Sequence, residues 1–445
     1  MDAGTRAPWT PNRRWADPLL LMLTLLTLLF AMETLGRSRG SKAPAERISL
    51  AGRALELQAA AQNLLTPGRP LPRTRTPLQG WDRALAGVLA AEAGDVERGR
   101  ALALEGPVLP GPGEAFRQAW QAAYLETAPA FPQDLQPVSR ALGQGWTARL
   151  MEARLAPEAQ RPALQEAARA WARPRLFVFV LAGLLGTVLA LGGVVALPML
   201  FFSRPRTAPS LPTWAMPWRA ALLVLLLWFL ALRLSGVAAS LALAVIPLPR
   251  PWILPLAFLF HAGAGLGLLA WAEGRPLRTV LGPFADGSPL RSLGWAAAFL
   301  AGAVAAVITI ALALAPLMGP GEPPQRELMD LIGGTQGLGS ALALFITVAV
   351  LAPVFEEILF RGFLLPWLQP RLAARWGLRW GTFAALLLTA LAFGAMHLQP
   401  RGLHVLSTLG LMLGWAVVRT GDLRTAILVH GAWNGGIFLL VRSLA

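Results

Sequence analysis

Long apolar runs recur along this chain, and they constrain its fold more than any other feature of the sequence. Each run is near the roughly 20 residues that a helix needs to cross about 30 Å of hydrocarbon. Within lipid a single segment must satisfy its own backbone hydrogen bonds, which favours helices. The sequence therefore predicts an all-α fold, a polytopic membrane helix bundle of about eight to nine transmembrane helices. The runs are Leu19–Leu35, Leu176–Phe202, Ala220–Ile246, Trp252–Trp271, Leu293–Leu317, Leu338–Val354, Trp380–Met396, Leu403–Val418 and Leu423–Val441.

Composition supports a membrane protein and excludes several other classes. The mean hydropathy is +0.53 and only 14% of residues are charged, well below the quarter or so that is typical of soluble domains. The net charge of +15 comes from arginines scattered at helix ends, where they anchor a helix in the lipid bilayer, so we expect no nucleic-acid partner. The chain has no cysteine, which excludes disulfides, thiolate zinc sites and cysteine nucleophiles.

The pattern divides the chain into four regions. Residues 1–36 are predicted to form a cytoplasmic N-terminus and an anchor helix, and residues 37–173 a soluble helical insert rich in Ala and Arg. Residues 174–335 carry transmembrane helices, and residues 336–445 a catalytic transmembrane core. The insert is interpreted as a spacer or as a module that binds a protein partner.

Arginine near the ends of the short links predicts the orientation. Arginine-rich links belong on the cytoplasmic side, whereas the link at 319–331 carries more acidic residues, as an outer link does. The chain is thus expected to be multi-pass in the cell membrane, with a cytoplasmic N-terminus and an extracytoplasmic insert. The arginines counted are Arg6, Arg13, Arg14, Arg204, Arg206, Arg219, Arg371, Arg375 and Arg379.

Two adjacent carboxylates and an arginine interrupt an apolar run in the sequence VFEEILFRGFLLPW, which begins at Val354. Residues four apart share a helical face, so Glu357 and Arg361 are predicted to form an ion pair. Glu356 points about 100° away and is free to face a cavity. An interfacial ion pair at a helix end is the plainer interpretation of the same residues.

Two further helices carry polar groups at the same spacing. Phe393 and His397 are four residues apart, as are His430 and Asn434. The small residues beside the second pair, Gly431 among them, are expected to let a neighbouring segment approach closely. A snorkelling histidine and a hydrogen bond that joins two helices are the plainer interpretations. His261 and His404 are given no role in the chemistry, and close helix packing is sufficient cause for His261.

Together these motifs resemble those of the CAAX protease and bacteriocin-processing family, intramembrane endopeptidases that include the type II CAAX prenyl proteases. The family pattern is Glu-Glu-x-x-x-Arg, then Phe-x-x-x-His, then His-x-x-x-Asn or Asp, on successive core helices. Residues 336–445 meet every position of it. The resemblance implies a hydrolase that acts on peptide bonds of a membrane-associated protein or peptide.

The resemblance also implies roles for the site residues. Glu356 and His397 would polarise a water molecule, while His430 and Asn434 would stabilise the oxyanion. The remaining motif residues, Glu357, Arg361 and Phe393, would support the site. No cofactor is assigned. The residues leave one alternative open, a metalloprotease in which Glu356, His397 and His430 hold a zinc ion.

Two hypotheses from other classes remain beside the endopeptidase. The same residues could hold helices together or bind a peptide in a non-catalytic membrane scaffold or bacteriocin-immunity-type protein. A Glu-His pair could also move protons in a transporter, although the sequence shows no paired broken helices and no internal repeat of the kind that transporters carry.

Overall fold

The computed structural model is an all-α membrane helix bundle. It describes residues 7–12, 16–25, 27–28, 48, 50–65, 78–105, 107–125, 135–202, 213–245, 252–278, 288–318, 326–335 and 337–444, and no strand occurs within these ranges. In chain order the helices are α1 (Ala16–Leu25), α2 (Leu50–Leu65), α3 (Gly80–Glu92), α4 (Val96–Leu104), α5 (Gly113–Tyr124), α6 (Gln136–Ala141), α7 (Trp146–Leu155), α8 (Arg161–Phe202), α9 (Trp218–Val245), α10 (Ile253–Glu273), α11 (Pro289–Met318), α12 (Arg326–Gly334), α13 (Leu338–Ile346), α14 (Ala352–Glu357), α15 (Leu365–Met396), α16 (Leu403–Thr420) and α17 (Leu423–Leu444).

The chain divides into two compact units. The larger unit comprises Met1–Gly40, Leu185–Arg326 and Thr335–Phe438, and the smaller comprises Ser41–Leu184, Glu327–Gly334 and Leu439–Ala445. The four regions proposed from the sequence stay a prediction, and much of the first region, 1–36, lies outside the described residues.

The smaller unit has its own apolar core, built around Trp81, Phe116 and Trp120, which are fully buried. A buried carboxylate also holds it together: Glu56 accepts hydrogen bonds from the backbone N–H of Thr147, at 2.7 Å, and from the Arg53 guanidinium, at 2.9 Å. Because Thr147 lies in the first turn of α7, Glu56 satisfies one of the N–H groups that a helix start leaves unpaired. The protein partner expected for this region stays a prediction.

Within the described residues, five helical stretches are long and apolar enough to cross a membrane. They are Glu158–Phe201, Ile253–Glu273, Pro289–Leu317, Leu338–Met396 and Pro400–Thr420, and shorter apolar helices occur at Ala16–Leu25 and Trp218–Leu232. The fourth stretch has 59 residues and contains two of the predicted runs. The count of eight to nine crossings therefore stays a prediction. Helix α17 is not one of these five candidate spans, because polar side chains along it, from Arg424 to Arg442, lower its mean hydropathy.

The helix that carries the paired glutamates is interrupted by two π segments. The first π segment (Thr347–Leu351) precedes α14 and the second (Ile358–Leu364) follows it. In such segments the hydrogen bonds run from residue i to i+5, and they often occur at functional sites. On one side this helix packs its apolar residues, including Phe355 and Phe363, into a core with α9 and α10.

Helix α15 turns back on itself at Gly377, whose φ of 76° and ψ of 160° are not helical. A side chain at Gly381 would overlap the backbone of Ala373, so the two arms of α15 meet closely just past the bend. The amide of Gln369 donates to the Thr382 hydroxyl across the bend, at 3.1 Å. The bend therefore returns Phe393 and His397 towards the paired glutamates.

Candidate active site

A buried ion pair lies at the centre of the site. Arg361 Nη1 donates to Glu357 Oε1 over 2.8 Å, as the i, i+4 spacing predicts, and both side chains are fully buried. The second guanidinium nitrogen, Nη2, donates to the Gly410 carbonyl oxygen of α16, also at 2.8 Å. Burying a charge in hydrocarbon costs about 3 kcal/mol or more, and this pairing offsets much of that cost.

Helix α17 brings His430 to the same carboxylate. His430 Nδ1 lies 2.8 Å from Glu357 Oε1, and the ring is buried. Gly431 makes this approach feasible, because a Cβ atom there would lie 2.8 Å from the Ala349 carbonyl oxygen in the first π segment. The predicted close approach is confirmed at Gly431. Glu357 thus bridges a guanidinium on its own helix and an imidazole from another.

Glu356 occupies a different position from its neighbour. Its side chain is 15% exposed, and its Oε2 atom lies 3.9 Å from His430 Nε2, beyond hydrogen-bond range. That Oε2 atom is shielded from solvent and accepts no hydrogen bond from any residue that the structure describes. The division predicted from helical spacing is therefore present: Glu357 is fully buried and paired with Arg361, whereas Glu356 is partly exposed and unpaired with any arginine among the described residues.

The Phe393 ring lies among the charged groups. Its centroid is 4.6 Å from Arg361 Cζ, 5.6 Å from the His430 ring and 5.1 Å from the His397 ring. A guanidinium over an aromatic face gains an electrostatic attraction. Phe393 therefore separates the two histidines and packs against both, which fits the supporting role that the sequence suggested for it.

His397 reaches the site at the end of α15. Its Nδ1 atom lies 2.9 Å from the Phe393 carbonyl oxygen, one turn earlier, and the ring is half-buried. This contact leaves Nε2 to face another partner. Among the described contacts, His397 is linked to the other site residues by its contacts with Phe393.

Asn434 makes a contact that sequence analysis missed. Its Nδ2 atom donates to the Val348 carbonyl oxygen in the first π segment, at 3.0 Å. A side-chain amide has two N–H donors, so one remains for another acceptor. Asn434 thus fixes the position of the helix that carries the glutamates.

The residues proposed as zinc ligands are not arranged as a metal site. Among the described parts of the chain, no three His, Asp or Glu side chains form a group that could hold a metal ion. This includes the set Glu356, His397 and His430.

Of two buried aromatic contacts near the site, one was missed and the other agrees with the packing role assigned to His261. Trp214 Nε1 donates to the Gly362 carbonyl oxygen in the second π segment, at 2.8 Å, and the 148 residues between them leave no local sequence signal. The His261 ring stacks on Trp228 and packs against Phe355, with ring centroids 5.1 Å apart in each case. Both ring nitrogens of His261 lack a hydrogen-bond partner among the described residues, so packing is the only role that the contacts show there.

Comparison with known proteins agrees with this arrangement. Residues 338–436 match the sequence model of a protease family described as type II CAAX prenyl endopeptidase Rce1-like. An uncharacterized 24.3 kDa protein of Escherichia coli is 30% identical over 145 residues, which are 32% of this chain and 61% of that protein. The chain thus spans about three fifths of the length of this relative. No solved structure matches the chain. For residues 338–436, the match confirms the resemblance to the CAAX protease and bacteriocin-processing family.

Proposed function

We propose that this protein is an intramembrane endopeptidase that cleaves a peptide bond in a membrane-associated protein or peptide. The observation that carries the proposal is the position of Glu356: its side chain is 15% exposed and lies 3.9 Å from His430 without a hydrogen bond, whereas Glu357 is fully buried and bound to Arg361 and His430. A group that activates water needs such an uncommitted acceptor within reach of the water proton.

In the proposed reaction, Glu356 accepts a proton from a water molecule while the water oxygen attacks the peptide carbonyl carbon. His397, through its free Nε2, orients the same water. The proton then passes to the leaving nitrogen as the C–N bond breaks, which gives a carboxylic acid and an amine; the acid then transfers its proton to the amine. Glu356 thus begins the reaction as a carboxylate and is a carboxylate again at its end.

The developing oxyanion needs donors that are already in place. His430 Nδ1–H donates to Glu357, so a hydrogen bond from His430 to the oxyanion must come from Nε2–H. The second N–H of Asn434 is the other candidate donor. Glu357 and Arg361 act as positioning residues for His430.

The substrate class follows from the surroundings of the site. Glu356 lies within a candidate membrane span, Leu338–Met396, so a substrate must bring its scissile bond into or beside the bilayer. We place the opening near the cytoplasmic face, in keeping with the arginine distribution, and the metal-free mechanism is the one that the side-chain arrangement favours.

The experiment compares membrane proteomes of cells that carry the wild-type protein, Glu356→Gln, or the control Glu97→Gln on the exposed face of α4. The proposal expects uncleaved precursors to accumulate in Glu356→Gln cells only. If Glu356→Gln cells process every membrane protein as wild-type cells do and keep the cellular function, a non-catalytic scaffold explains the site better.

A further inference from the structure

The segment at residues 213–217, which precedes α9, is fixed in place by one buried carboxylate. The backbone N–H groups of Ala215 and Met216 donate to the two oxygens of Glu273, at 3.1 and 3.2 Å. Glu273 is fully buried and also pairs with Arg275, whose Nη2 donates to the Thr213 carbonyl oxygen at 2.9 Å. We call this segment the strap.

The strap also bonds to the arm of α15 that precedes its bend. The Met216 carbonyl oxygen accepts from Trp367 Nε1 at 2.8 Å and from Arg371 Nη2 at 2.9 Å. The strap therefore has anchors on α10 and α15 that do not involve its own tryptophan.

Trp214 projects from this anchored strap into the second π segment. Its indole is buried, its Nε1–H donates to the Gly362 carbonyl oxygen over 2.8 Å, and its ring packs edge-on against Phe363 at 4.8 Å. The α-helical partner of the Gly362 carbonyl would be the backbone N–H of residue i+4, but that residue is Pro366, which has no N–H. A buried carbonyl without a partner is costly. The indole N–H supplies that partner.

The two π segments are held in the same manner on either side of the glutamates. Asn434 donates to Val348 in the first and Trp214 donates to Gly362 in the second. Each donor comes from a distant part of the chain, and each acceptor is a main-chain oxygen of a π segment. Two independent side chains thus supply hydrogen-bond donors to the main chain of the two π segments.

We propose that Trp214 is a positioning residue for the catalytic glutamate, acting through the second π segment; this inference rests on the proposed peptidase function. If the π segment reverted to α-helix, residues before it would turn by about 100° relative to residues after it. Glu356 and Glu357 would then turn relative to the residues that follow the segment, from Leu365 onward, which lead through the bend of α15 to Phe393 and His397. The indole bond keeps the two parts in register.

The test compares Trp214→Phe with a matched control, Trp367→Phe. Each change removes one buried indole-to-carbonyl hydrogen bond of 2.8 Å, and each keeps an aromatic ring. Only the first bond ends in a π segment, and Met216 keeps Arg371 as a donor in the control. The full-length proteins are purified in dodecylmaltoside and assayed for cleavage of fluorescein-labelled casein, with Glu356→Gln as the blank.

We expect Trp214→Phe to lower kcat by about ten- to a hundredfold at an unchanged KM, because a small misplacement of a catalytic group suffices for that loss. Trp367→Phe should keep wild-type kcat and KM. Amide hydrogen exchange across residues 358–364 should speed up in Trp214→Phe and not in the control. If Trp214→Phe folds poorly, benzothienylalanine at position 214 provides the same test, because it keeps the indole shape and replaces N–H by sulfur. It should show the same loss of kcat and the same faster exchange.

Equal effects of Trp214→Phe and Trp367→Phe on kcat and on exchange would overturn the proposal and leave Trp214 as an anchor of the strap. Wild-type protein that cleaves casein no better than Glu356→Gln would count against the proposed function. In that case the exchange measurement still decides whether the indole bond holds the π segment.

Discussion

His430 Nδ1 and Glu357 Oε1 lie 2.8 Å apart although 73 residues separate them in the chain. The same oxygen accepts a hydrogen bond from Arg361, so one carboxylate orients an imidazole and neutralises a guanidinium. The neighbouring Glu356 is 15% exposed and is not bound by Arg361. This unequal treatment of Glu356 and Glu357 leads to predictions that separate catalysis from stability.

Glu356→Gln is expected to remove cleavage while leaving the fold intact. Loss of a general base lowers kcat by about 10²- to 10⁴-fold. The amide has nearly the shape of the carboxylate, so the free energy of unfolding should change by less than about 1 kcal/mol. Casein cleavage and thermal melting in detergent measure the two quantities, and a variant with substantial residual cleavage would remove Glu356 from the mechanism.

Glu357→Ala is expected to destabilise the protein strongly. It leaves the Arg361 guanidinium buried without a counter-ion, which costs about 3–5 kcal/mol. Glu356→Ala is the matched control, since it removes a neighbouring carboxylate that makes no hydrogen bond to the described residues. Melting temperatures of the two variants in the same detergent provide the comparison, and equal values would contradict the central position of Glu357.

Gly431→Ala tests the close approach of α17 to the first π segment. The new Cβ would meet the Ala349 carbonyl oxygen at 2.8 Å, so we expect a loss of about 1–3 kcal/mol from overpacking and lower activity through displacement of His430. At Gly436 no described atom lies within 4 Å of the added Cβ, and Gly436→Ala should be neutral or stabilising because alanine favours helix. Thermal melting compares them.

Metal removal should leave activity unchanged. The proposed mechanism draws its nucleophile from Glu356 and water, and the candidate ligands do not form a metal-binding group within the described residues. Dialysis against 1,10-phenanthroline, followed by the casein assay with and without added zinc, checks this. Activity that disappears with the chelator and returns with zinc would favour the metal-assisted alternative.

The smaller unit offers a pH test that reports on a single residue, because Tyr124 is the only tyrosine in the chain. Burial, and then the Glu92 carboxylate that accepts its O–H at 2.7 Å, raises the pKa of Tyr124 well above 10. Absorbance near 295 nm should therefore titrate at higher pH in the folded protein than in guanidinium.

The sign of the linked stability follows from the same pKa. The folded state holds the Tyr124 proton more tightly than the unfolded state does, so this contribution to stability is complete below pH 10 and is lost as the pH rises through the folded pKa. Glu92→Gln should lower the titration midpoint. Identical midpoints in folded and denatured protein would contradict the buried contact.

The sequence predicted contacts that depend on one helix and missed those that join distant segments. The Glu357–Arg361 pair follows from spacing alone. The carbonyl contacts of Asn434 and Trp214 depend on two π segments, whose extra residue per turn leaves no signature in apolar periodicity. The order of the three motifs indicated that their helices meet. Tertiary packing decides which nitrogen atom faces which oxygen atom, and the sequence does not show that.

The bend at Gly377 has a consequence for how the site tolerates change in chain length. Arg361, in the second π segment that leads into α15, and Phe393 lie the same number of residues from Gly377 on opposite sides of it. They meet as a guanidinium over a ring. Removing one residue from one arm would shift its far end by about 1.5 Å and rotate it by about 100°, so the two would no longer face each other. The number of residues between Gly377 and each of these side chains therefore determines whether Arg361 and Phe393 lie at the same level along the two packed segments.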